Sequence, residues 1–118
     1  MAKPVERSRS PKAMKAAETR RRNLVATLQL WISDEGITAL PVDALTPISV
    51  AYGSYSRWAQ ERGSIPVKSV LSFWDALPDA VPGFRPQEFY RSGRVIRRSC
   101  NLKIVGNPAL LRWFMHHR

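Results

Sequence analysis

The residues best suited to chemistry lie in Phe89-Tyr-Arg-Ser-Gly-Arg-Val-Ile-Arg-Arg98, where four arginines and a Ser-Gly pair stand among large apolar side chains. A guanidinium is a planar fork of N–H donors that matches phosphate oxygens two at a time, so a hairpin edged with arginines is suited to a phosphate backbone. With Ser92-Gly93 as a two-residue turn, Arg91 faces Arg94, Tyr90 faces Val95, Phe89 faces Ile96 and Glu88 faces Arg97. That register sets Phe89 and Ile96 together against the rest of the protein, with Tyr90, Val95 and Arg97 pointing the other way. Arg91 and Arg94 meet at the tip, where like charges repel and an anionic ligand would relieve them.

Other chemistry finds little support. Cys100 is the single cysteine, which leaves no internal disulfide framework and no cysteine cluster for zinc. The two histidines, His116 and His117, are adjacent, so on a helix they point in different directions and make a poor metal pair. Neither a serine nor Cys100 has a base beside it for nucleophilic catalysis. Asp34-Glu35 precede Gly36 and read as a solvated helix end rather than an acid–base pair. No GxxxxGK[ST] phosphate loop is present. The expectation is a protein that is not an enzyme, without catalytic residues, metal or cofactor.

The charge is segregated along the chain. Residues 1–22 carry eight basic and two acidic side chains, residues 23–84 three and six, and residues 85–118 eight and one. The whole chain of 118 residues has a formal net charge of +10, concentrated toward its two ends. Such a field draws polyanions, nucleic acid first and an anionic membrane surface second. The sequence has no apolar run of about 18 residues, and the charged start lacks the apolar stretch of a secretory signal. Glu6 and Glu18 weigh against an organelle transit peptide. A cytoplasmic protein without a membrane partner is expected. At 44% apolar content, with four Trp, four Phe and three Tyr, the chain can bury one small core.

Four helical segments position these groups. The first has Ser10 as N-cap, Pro11 as first helical residue, an apolar stripe of Leu24, Leu28, Trp31 and Ile32, and Gly36 as stop. Its cationic first half opposes the helix dipole, so residues 1–20 are expected to be a flexible basic arm ahead of a domain at 21–118. The second helix runs from 47 to 62, with Thr46 as cap, Ile48, Ala51, Tyr52, Tyr55, Trp58 and Ala59 at helical spacing, and Gly63 as stop. A third opens after Pro66, presents Val67, Val70, Leu71, Trp74 and Leu77 on one face and Lys68, Ser69, Ser72 and Asp75 on the other, and ends before Pro78. After the hairpin a further strand is expected at 102–105. Asn107-Pro108 then opens a last helix with Leu110, Leu111 and Phe114.

Helix, helix, helix and a closing basic hairpin is the order of an α+β winged helix-turn-helix. The run from Ala51 to Leu77 followed by PGFRPQEFYRSGRVIRR resembles the C-terminal winged-helix domain of phage, plasmid and poxvirus-type helicase-primases. The likeness rests on Tyr55-x-x-Trp58, on the Gly63 and Pro66 break, on Phe73 and Leu77, and on the basic wing, over residues 46–99. It implies DNA contact in a plasmid or phage setting, in transcription regulation or replication, here as a stand-alone module. The third helix carries fewer basic residues on its outer face than is usual in that family.

The expected DNA contacts are Arg91, Arg94, Arg97 and Arg98 in the wing, Lys68, Ser69 and Ser72 at the third helix, and Arg20, Arg21 and Arg22 beside the arm. Duplex DNA is the preferred partner. The alternatives are an RNA-binding or ribonucleoprotein component, and an accessory module of a replication, transfer or secretion assembly that docks through Trp31, Trp58, Trp74 or Trp113, as a homodimer or on another protein.

Overall fold

A computed structural model describes residues 11–104. Ser10, the last helix, Trp113 and the two histidines therefore lie outside the described residues. The protein is α+β: α1 (Pro11–Glu35), β1 (Thr38–Ala39), β2 (Thr46–Pro47), α2 (Ile48–Glu61), α3 (Val70–Ala80), β3 (Pro86–Arg91), β4 (Arg94–Cys100) and β5 (Leu102–Lys103). Two antiparallel sheets result, one of β1 and β5, the other in the order β2, β4, β3. Asn101 separates β4 from β5, so a single extended run of chain serves both sheets.

The first helix begins at Pro11, inside the segment that the sequence assigns to a flexible arm. Ala13, Met14, Lys15, Ala16 and Ala17 are strong helix formers, and their summed propensity outweighs the unfavourable placement of cations near the N-terminus. Gly36 ends this helix at φ +63°, with its N–H donating to Ser33 O at 3.3 Å and that of Ile37 to Ile32 O at 3.0 Å. Gly63 ends α2 in the same way at φ +78°, with Gly63 N–H on Gln60 O and Ser64 N–H on Ala59 O. Both are left-handed closures that satisfy the last carbonyls of a helix, and glycine takes that conformation without strain.

Two expected boundaries move. Thr46 does not cap α2: it lies in β2, fully buried, and its hydroxyl donates to Leu102 O at 2.6 Å, tying β2 to β5. Pro47 stands at the cap position instead, without a side-chain hydrogen bond. The third helix runs through Pro78 to Ala80. Pro78 sits in the last turns on the outer face, so it removes one intrahelical bond while Ala80 and Val81 behind it remain buried in the core.

The core is an aromatic cluster shared by the three helices. Trp31 and Phe73 are wholly buried, with Trp31 meeting Tyr55 edge-on at 5.9 Å and Tyr55 stacking on Phe73 at 5.1 Å. Each polar group among them is used: Trp31 Nε1 donates to Ser54 Oγ, Tyr52 Oη donates to Val67 O, and Val67 N–H donates to Tyr55 Oη. The two tyrosines thus fix the backbone between α2 and α3 through both polar groups of one residue. Burial pushes the Tyr55 hydroxyl above its usual pKa. The inward face of α3 is Phe73, Trp74, Ala76, Leu77 and Ala80, whereas Val70 and Leu71 are exposed. The observed stripe is rotated from the expected one: Phe73 and the small Ala76 and Ala80 take the inward places in which the spacing of large apolar residues sets Val70 and Leu71.

Candidate nucleic-acid interface

The β3–β4 hairpin closes as the turn residues demand. Ser92 and Gly93 have φ of 51° and 78°, the pair of positive values that a two-residue turn matched to strand twist requires. Arg91 pairs with Arg94 and Tyr90 with Val95, as the sequence indicates, but Phe89 then pairs with Arg97 and Glu88 with Arg98. A β-bulge at this point makes Ile96 the extra residue, 60% exposed rather than packed with Phe89.

The bulge decides which side chains share a face. Cross-strand partners lie on the same side of a ladder, so one face holds Phe89, Arg91, Arg94 and Arg97, and the other holds Glu88, Tyr90, Val95 and Arg98. Were the same residues paired regularly, with Ile96 opposite Phe89, Arg97 would face Glu88 instead. On its actual face the Arg97 guanidinium lies over the Phe89 ring, 4.2 Å from the centroid. On the opposite face Arg98 Nε donates to Glu88 Oε2 at 2.9 Å and Tyr90 Oη to Glu88 Oε1 at 2.8 Å. These bonds, that from Tyr90 first, hold the Glu88 carboxyl below its usual pKa, and the same carboxylate raises that of Tyr90. Of the four wing arginines, Arg91, Arg94 and Arg97 form one cationic face, and Arg98 is engaged inside the hairpin.

The root of the hairpin is set by a residue the sequence did not single out. Asn101, almost wholly buried, accepts from Arg85 N–H at 2.7 Å and donates to Leu40 O at 2.7 Å and Gly83 O at 3.0 Å. One side chain thereby joins the β1 end, the loop after α3 and the start of β3. No pattern marks it in the sequence, where it stands between Cys100 and Leu102 with Ser99 and Lys103 on either side.

The other expected contacts divide. Arg20 and Arg22 are exposed on α1. Arg21 reaches α3 instead, donating through Nη1 to Asp79 Oδ2 and through Nη2 to Asp75 O at 3.1 Å, with Nε 3.5 Å from Asp75 Oδ2. Ser69 caps α3, its Oγ accepting from Ser72 N–H at 3.1 Å, so its hydroxyl is already in use. Lys68 just before it is exposed. The outward face of α3 comprises Leu71, Ser72, Asp75, Pro78 and Asp79, with no cation. Arg20, Arg21 and Ser72 line one open cleft of about 760 Å³ between α1 and the approach to α3, and Ser72 and Arg98 line a second of about 430 Å³ beside the hairpin.

Trp31, Trp58 and Trp74 are all buried, so an exposed aromatic docking patch cannot be built from them. Burial pushes the Cys100 thiol up to about 11, as fits a small core residue. Among the described residues, no three His, Cys, Asp or Glu side chains cluster to hold a metal, and no helix is long and apolar enough to cross a membrane. No known family, curated protein or solved structure matches the chain.

Proposed function

We propose that this chain is a DNA-binding module of winged helix-turn-helix type whose wing, the β3–β4 hairpin, is the principal contact. The observation that carries the reading is the gathering of Arg91, Arg94 and Arg97 on one exposed face by the bulge at Ile96. The element order supports it as well: β2 falls between α1 and α2, and β4 lies between β2 and β3 in the sheet. Phosphates on one strand meet the wing arginines, and Arg20, Arg22 and Lys68 add contacts from α1 and the start of α3. The outward face of α3 offers two carboxylates and no donor fork for guanine, so this helix positions rather than reads. The module binds rather than catalyses, in keeping with a part in regulation or replication.

The test is fluorescence anisotropy of labelled duplex DNA with the wild type and with Arg91→Ala/Arg94→Ala, with structured RNA as competitor at equal salt. The reading predicts duplex binding that weakens at least about tenfold in the double variant, since charge-assisted phosphate contacts each contribute about 1 kcal/mol or more. Preferential displacement by RNA would transfer the reading to RNA.

A further inference from the structure

The face of the hairpin opposite the three arginines has a different chemistry. Tyr90, next to the tip, is 62% exposed, yet its hydroxyl is held by Glu88, which is held in turn by Arg98. Its ring borders a groove of about 510 Å³ against α3, whose lining includes Trp74, Pro78, Phe84, Pro86 and Glu88. Trp74 and Phe84 meet edge-on at 5.5 Å beside that groove. We propose that this groove receives an unpaired nucleobase stacked on Tyr90, so that the protein binds best where a duplex gives way to single strand.

This rests on the DNA-binding reading and adds a second ligand group to it. A base within a duplex has both faces covered by its neighbours, so only an unpaired or extruded one can offer a face to a tyrosine. The groove suits the base and not the backbone. Its apolar and aromatic walls match a π-surface, while the carboxylates of Glu88 and Asp75, paired with Arg98 and Arg21, keep lone pairs that can accept from base N–H groups. Phosphates are left to Arg91 and Arg94, which flank the turn beside Tyr90 and Val95 on the other face of the hairpin. The hairpin thereby sorts a nucleotide into its two parts, backbone to the arginines and base to Tyr90. Because Tyr90 is already tethered, little side-chain freedom remains to be lost on stacking.

The experiment is titration of the full chain, at one salt concentration, with a blunt duplex and with the same duplex bearing a short single-stranded extension. In the extended ligand the first unpaired position is 2-aminopurine. The wild type should bind the extended duplex about 5- to 150-fold more tightly, the range expected for stacking of one base, and should quench the 2-aminopurine. Tyr90→Ala should bring the extended duplex to the affinity of the blunt one, and Tyr90→Phe, which keeps the ring, should retain most of the preference. Equal affinity of the wild type for both ligands, unquenched 2-aminopurine, or a preference that survives in Tyr90→Ala would overturn the proposal and leave duplex binding standing. Failure to bind either ligand would overturn the DNA-binding reading as well.

Discussion

The guanidinium of Arg97 lies 4.2 Å above the Phe89 ring because Ile96 is an extra residue in β4. In a regular hairpin with the same turn, Arg97 would face Glu88 and Phe89 would face Ile96. Deleting Ile96 should therefore leave Arg97 opposite Phe89, Arg98 opposite Glu88, and DNA affinity within about twofold of wild type, because the deletion removes only the bulge. In a hairpin paired regularly Arg97 would start opposite Glu88, and the same deletion would carry it onto the Arg91 and Arg94 face and strengthen binding. Nuclear Overhauser contacts between the Phe89 ring and the Arg97 side chain, measured with and without Ile96, separate the two cases.

The Tyr90, Glu88 and Arg98 group is sensitive to acid. The Glu88 carboxyl in the folded chain titrates below its ordinary value of 4.5, so its contribution is fully present above that pH and is lost as pH falls through the lower folded value. The Tyr90 ring should then become mobile in acid, with the hairpin amide signals following the Glu88 carboxyl titration. In Glu88→Gln that transition should be absent. A hairpin that titrates identically in both proteins would contradict the assignment.

Asn101 holds three segments by three hydrogen bonds. Asn101→Ala leaves a part-buried N–H and two part-buried carbonyls without that partner, so the chain should lose about 1–3 kcal/mol of stability. Urea unfolding would register this as a lower midpoint at unchanged slope. A shift below about 0.5 kcal/mol would mean that water replaces the side chain at no cost.

Cys100 has no accessible surface, and burial raises its thiol to about 11. At pH 8 the folded protein should react with a thiol reagent far more slowly than the urea-unfolded chain, since only the exposed thiolate attacks. Comparable rates in the two states would place Cys100 at the surface.

Much of this fold is legible because the signals are local. Gly36 and Gly63 mark two helix ends whose closing hydrogen bonds span only a few residues, and Ser92-Gly93 specifies its turn through its own backbone preference. What escapes is set at long range. The bulge depends on how β4 fits between β2 and β3, and the two-residue strands β1 and β2 are too short to leave a periodic pattern. Arg21 was grouped with Arg20 and Arg22 by adjacency, yet one helical step of about 100° turns it toward α3 and onto Asp75 and Asp79. Arginines alike in sequence thus divide between those facing solvent and those bound within the fold, a distinction that composition does not carry.

On the proposed DNA-binding reading, the wing arginines grip phosphates. The most direct measurement is the salt dependence of duplex affinity for the wild type and for Arg91→Ala/Arg94→Ala. With about six phosphates neutralised, log affinity should fall against log salt with a slope of about −5, and removing two contacts should make the slope shallower by about 2. A wild-type slope near zero, or the same slope in the double variant, would contradict the account.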